Sequence, residues 1–182
     1  AAAQSPIGAF SDAVIMNGDG RPTIMLFGND GVVTRDVDSL IDTKITMFDK
    51  AALTNCAPER GWIARDIDGD DWPEALESLS SRKTFIVMNT KTGERQWEFA
   101  APPKEDFGPI IPVRQRDGTT IVFGITTSTV ALVNHKGEQI GTQSWANSRG
   151  VAYAEKICTT FDFDKDGAEE IVVSNQGSLD IR

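Results

Sequence analysis

Histidine and cysteine are scarce in this 182-residue chain, which has one histidine, His135, and two cysteines, Cys56 and Cys158. That scarcity excludes zinc ribbons, haem-attachment motifs and disulfide-dense scaffolds. No apolar run approaches the roughly 20 residues that a membrane-spanning helix needs, so membrane insertion is not expected. Clean helical periodicity is missing as well. Basic charge is short: 18 Lys and Arg stand against 27 Asp and Glu, a formal net charge of -9, which disfavours a general nucleic-acid binder. No general acid–base pair, nucleophile elbow or phosphate-binding loop stands out, so no enzyme is expected. His135 lies in the turn Asn134-His135-Lys136-Gly137, without a nearby triad-like partner, and reads as a turn residue. What is present is ordinary for one globular domain. The chain is 40% hydrophobic and 25% charged, too apolar for intrinsic disorder.

The acidic charge is concentrated rather than spread. Residues 66–74 (DIDGDDWPE) hold five acids and no base, and residues 162–170 (DFDKDGAEE) hold five acids and one base. The rest of the chain carries as many bases as acids. Like charges packed this closely repel one another unless a cation sits among them. This distribution asks for a metal ion.

The two acidic stretches belong to a longer periodicity. Asp/Gly-rich turns end at Gly20, Asp71, Gly118 and Gly167, at spacings of 51, 47 and 49 residues. Short β-type runs follow them: Thr23–Phe27, Thr119–Phe123 and Glu170–Val173. Further runs, Thr84–Met88 and Thr129–Val133, lead to Gly93 and Gly137 and then to Trp97 and Trp145. Alternating β-branched runs bounded by Gly and Asp predict strands. The expected fold is therefore all-β, a β-propeller-like array of about four repeats, each the size of one blade. Its approximate limits are 11–50, 61–100, 108–147 and 150–182, in one domain spanning 1–182.

Asp162-Phe-Asp164-Lys-Asp166-Gly167-Ala-Glu-Glu170-Ile-Val-Val resembles the calcium loop and strand of FG-GAP/VCBS β-propeller repeats. Asp66-Ile-Asp68-Gly-Asp70-Asp71-Trp-Pro-Glu74 matches it too, with Asp71 in place of the glycine. Phe27-Gly28 and Phe123-Gly124 echo the Phe-Gly of the family name. The stretch from Val87 to Trp97 resembles the outer part of quinoprotein-type blades. The resemblance implies a secreted, cell-surface or periplasmic calcium-stabilised module that recognises a glycan or an extracellular protein. Adhesion proteins and modules attached to carbohydrate-active enzymes carry such repeats.

The chemistry of the loops supports calcium on its own terms. Calcium takes six to eight oxygens, and carboxylates at positions 1, 3 and 5 of a loop can surround one ion. A backbone carbonyl at position 7 and an acid at position 9 complete the set. In the second repeat the expected ligands are Asp66, Asp68, Asp70, the carbonyl of Trp72, and Glu74. In the fourth they are Asp162, Asp164, Asp166, the carbonyl of Ala168, and Glu170. That makes about two Ca²⁺ per chain. The first repeat offers Ile15, Asn17 and Asp19, and the third Val113, Gln115 and Asp117, so neither forms a charged cage. An EF-hand is disfavoured because position 12 of the last loop is Val173 and apolar strands replace the flanking helices.

Several readings stay open from sequence. Trp72 either packs or presents an aromatic face to a ligand. Cys56 and Cys158 are either bonded or free thiols, at different phases of the repeat. The alternative function is a structural or assembly subunit whose exposed strand edges self-associate or complete a larger propeller or filament. A polysaccharide lyase or quinoprotein activity ranks third.

Overall fold

Runs such as TIMLF, TFIVM and TVALV place bulky or branched side chains on both faces of an extended backbone, where they pack better than on a helix. A computed structural model of the chain describes residues 7, 10–18, 21–51, 53, 61–78, 83–108, 110–126, 129–144, 157–175 and 178–181. Among these residues there are strands and turns and no helix. Cys56, Trp145 and the side chain of Cys158 lie outside them.

Strands β1 (Phe10–Gly18), β2 (Arg21–Gly28), β3 (Gly31–Asp36) and β4 (Asp42–Met47) form the first sheet. The second consists of β5 (Ile63–Arg65), β6 (Glu74–Ser78), β7 (Thr84–Met88) and β8 (Arg95–Ala100). The third holds β9 (Ile110–Arg114), β10 (Thr120–Ile125), β11 (Thr129–Val133) and β12 (Gln139–Ser144). A three-stranded sheet follows: β13 (Ile157–Phe161), β14 (Glu170–Asn175) and β15 (Ser178–Ile181). Within every sheet, strands adjacent in sequence are hydrogen-bonded neighbours, which is the meander order of a propeller blade. The pairings in the first, third and fourth sheets are antiparallel, as is β5 with β6.

The chain divides into two compact units. The first comprises Ala1–Arg65, Asp71–Ser81 and Ile86–Glu98. Its core gathers Met25, Phe27 and Val32 from the first sheet with Ala75, Ile86 and Met88, closed by Phe48 and Trp62. Phe48 meets Trp62 edge-on at 4.9 Å. Burying each large apolar side chain here contributes roughly 1.5–3 kcal/mol. β1 lies beside β5, and Asp12 ties them by accepting the Ala64 N–H at 3.1 Å.

The second unit comprises Asp66–Asp70, Arg82–Phe85 and Phe99–Arg182. Ile111, Val113, Ile125 and Val130 form a core that Ile171 of β14 joins. β13 lies beside β9, so in each unit the first strands of two successive sheets are neighbours. Phe85, Phe99 and Phe107 form an aromatic cluster with centroids 5.1 to 6.2 Å apart.

The two Phe-Gly pairs have a steric reason. A Cβ on Gly28 would stand 2.4 Å from the Ile7 carbonyl oxygen, and one on Gly124 would stand 2.7 Å from the Phe107 ring. Either contact would force the neighbouring residue away, so each glycine marks a close approach rather than a turn.

Candidate metal-binding loops

The residue that follows β5 begins an acidic loop, Asp66 to Asp71, and the residue that follows β13 begins another, Asp162 to Gly167. Counting each from its first aspartate, both loops enter left-handed backbone at positions 4 and 6. The φ values are +83° at Gly69 and +64° at Asp71, against +61° at Lys165 and +93° at Gly167. Two sequences that share little besides their aspartates thus adopt the same turn. Asp71 occupies the position that glycine holds in the other loop, in a conformation aspartate tolerates better than most residues.

This turn draws the carboxylates inward. Oxygens of Asp66, Asp68 and Asp70 lie within 4.8 Å of one another, as do oxygens of Asp162, Asp164 and Glu170. Backbone donors fix the carboxylates. Gly69 N–H donates to Asp66 at 2.8 Å and Asp70 N–H to Asp68 at 3.2 Å. In the other loop Asp166 N–H reaches both Asp162 and Asp164 at 3.1 Å, and Gly167 N–H donates to the second oxygen of Asp162 at 3.0 Å. Glu170 accepts the Phe163 N–H at 2.9 Å. Three carboxylate groups at this separation could hold a metal ion, and such oxygen donors suit a hard cation.

Of the other expected ligands, Asp166 has partners of its own. One oxygen of Asp166 accepts the Ala168 N–H at 2.8 Å and the other pairs with the Arg116 guanidinium. These contacts, the Ala168 N–H first, hold the Asp166 carboxyl below its ordinary pKa. Trp72 and Glu74 belong to the first unit. Glu74 is buried at the start of β6. The half-buried Trp72 donates its indole N–H to Thr90 Oγ1 at 2.7 Å, and the Lys91 ammonium caps its ring at 5.3 Å. Its aromatic face is therefore partly covered.

Within the second unit, residues 66–70, 115–119 and 162–170 lie side by side. The buried Thr120 donates its N–H to the Ile67 carbonyl at 3.0 Å and its hydroxyl to the Asp66 carbonyl at 2.7 Å. A Cβ on Gly69 would come 3.3 Å from the Gly118 backbone. On the other side Glu169 N–H donates to the Arg114 carbonyl at 2.9 Å, and Arg114 N–H returns a bond to the Glu169 carboxylate at 3.0 Å. Between the acidic loops, Asp117 closes its own turn by accepting the hydroxyl and the N–H of Thr119. Those bonds, the hydroxyl first, hold its carboxyl below the ordinary range. Both acidic loops thus brace the third sheet. Thr120, Arg114, Arg116 and Glu169 carry that bracing, and apart from the recurrence of turns no sequence signal points to it.

No model of a known family matches the chain, and no curated protein matches it. Among solved structures it is similar to a protein of unknown function from Bacteroides caccae, at 18% identity and a TM-score of 0.49, over 88% of this chain and 54% of that one. It is also similar to BamB from Moraxella catarrhalis, at 11% identity and a TM-score of 0.47, over 90% and 48% of the two chains. The WD40 domain of SCAP from fission yeast is matched at 10% identity and a TM-score of 0.35, over 98% and 43%. The chain spans about half the length of these structures or less.

Proposed function

We propose that the chain is a run of β-propeller blades of the FG-GAP/VCBS kind, stiffened by calcium, that serves as a non-enzymatic extracellular binding module for a glycan or a protein. The observation that carries this reading is the pair of acidic loops with matching φ signs and three clustered carboxylates each. Asp66, Asp68 and Asp70 would hold one ion, and Asp162, Asp164 and Glu170 the other. Bound cations would cancel the repulsion inside each loop and lock the contacts it makes with its neighbours. A rigid sheet scaffold with loops gathered beside one another suits recognition. Calorimetric titration with calcium tests the metal, with two sites per chain expected and one lost in each of Asp68→Ala and Asp164→Ala. A glycan array and an extracellular protein array test the partner.

A structural or assembly role is the second reading, favoured by one sheet face. By register, Ile15, Ile45 and Met47 share a face of the first sheet and are 70%, 46% and 44% exposed. Light scattering over a concentration series distinguishes the two: a constant monomer mass supports the binding module, and a rising mass supports assembly.

A further inference from the structure

A cavity of about 380 Å³ lies in the second unit, lined by Arg114, Arg116, Gly118, Asp162, Gly167 and Glu169. Its size falls at the lower end of the range of small-molecule sites, roughly 300–1,000 Å³. Its walls are unusual for such a site, since no apolar side chain larger than an arginine stem lines it. A Cβ on Gly118 would meet nothing within 4 Å, so the backbone there is open to an incoming group.

The four charged residues are not equally committed. Arg116 is engaged by Asp166. Asp162 accepts N–H bonds from Asp166 and Gly167, one on each oxygen, and Glu169 accepts one from Arg114. Of these four side chains, only the Arg114 guanidinium has no hydrogen bond or ion pair with the described residues. A guanidinium offers a planar fork that matches a carboxylate. A carboxylate oxygen can accept more than one hydrogen bond, so Asp162 and Glu169 can take hydroxyl donors beside the partners they already have. The ligand that fits has one anionic acceptor and several hydroxyls, and it is small.

We propose that this cavity binds a monosaccharide-sized sugar acid, with its carboxylate on Arg114 and its hydroxyls on Asp162 and Glu169. This inference rests on the glycan-binding reading above and names the glycan's chemistry. It is tested by calorimetric titration of the whole chain with glucuronate, glucose, acetate and inorganic phosphate, in calcium and in chelator, using wild type, Arg114→Gln and Arg114→Lys. Matching melting temperatures establish that the variants are folded. Glucuronate should bind, and glucose or the glutamine variant should each weaken binding about tenfold or more, as expected for losing a charged hydrogen-bond partner. The lysine variant should keep part of the affinity, because it preserves the charge and loses the fork. Equal binding of glucose, or glucuronate binding unchanged in Arg114→Gln, would overturn the proposal. Acetate or phosphate binding as well as glucuronate would also overturn it, leaving a general anion site. Array binding to neutral glycans that persists in Arg114→Gln, without glucuronate binding, would spare the module and reject the cavity. Glucuronate binding in chelator by a chain that takes up no calcium would spare the cavity and reject the calcium module.

Discussion

Asp71 holds a left-handed backbone, at a φ of +64°, that glycine adopts at the matching position of the other loop. A β-branched residue there would clash with its own backbone, at a cost of about 1–2 kcal/mol. Asp71→Val is therefore expected to lower the melting temperature, whereas Asp71→Gly should leave the turn intact; paired thermal melts check this. Asp36 gives a separate handle on pH. It accepts the N–H and the hydroxyl of Ser39 at 2.7 and 2.8 Å and the N–H of Asp38 at 3.1 Å. The Ser39 N–H leads in holding its carboxyl below the ordinary range. A depressed carboxylate contributes stability that is present above its unfolded pKa and lost as the pH falls through the folded value. Asp36→Ala should melt below wild type at neutral pH, and the gap should close under acid conditions below the usual carboxylate range. A gap independent of pH would contradict the assignment.

At the scale of elements, strands were legible because β-branched alternation is local. Thr84–Met88 and Thr129–Val133 are β7 and β11, and the run Thr23–Phe27 lies inside β2. The clustering of Asp66 with Asp68 and Asp70, and of Asp162 with Asp164 and Glu170, was legible for the same reason: short spacing in a turn. What the sequence hid is contact between residues far apart along the chain. Asp166 reads from its own loop alone, and the sequence does not show that Arg116 engages it from the preceding sheet. Nothing near Trp72 in sequence announces that Lys91 covers its ring. Thr120 belongs to the same class, since its hydroxyl holds the Asp66 carbonyl from 54 residues away. Thr120→Val keeps the shape and strands that carbonyl, at a cost of about 1–3 kcal/mol. The expected outcome is a lower melting temperature and weaker calcium binding at the loop of Asp68, with the loop of Asp164 unaffected. Titrating Thr120→Val alongside Thr120→Val/Asp164→Ala separates the two sites.

For the whole molecule, a net charge of -9 that resides in 18 residues ties stability to whatever neutralises those residues. A ligand that binds only the folded state adds about 2.7 kcal/mol per site at a hundredfold excess over its Kd. Extracellular calcium modules bind near 10⁻⁴–10⁻³ M, so millimolar calcium should give a smaller but measurable gain. Asp117 lies between the loops with its carboxylate bound to Thr119, so Asp117→Ala should leave the calcium response in place. The most direct measurement is the melting temperature of the chain in chelator and in millimolar calcium, for wild type, Asp68→Ala, Asp164→Ala and Asp117→Ala. Calcium-stabilised blades predict a rise in wild type and Asp117→Ala and a smaller rise in each loop variant. The same melting temperature in chelator and in calcium would contradict them and reduce the acidic loops to ordinary turns.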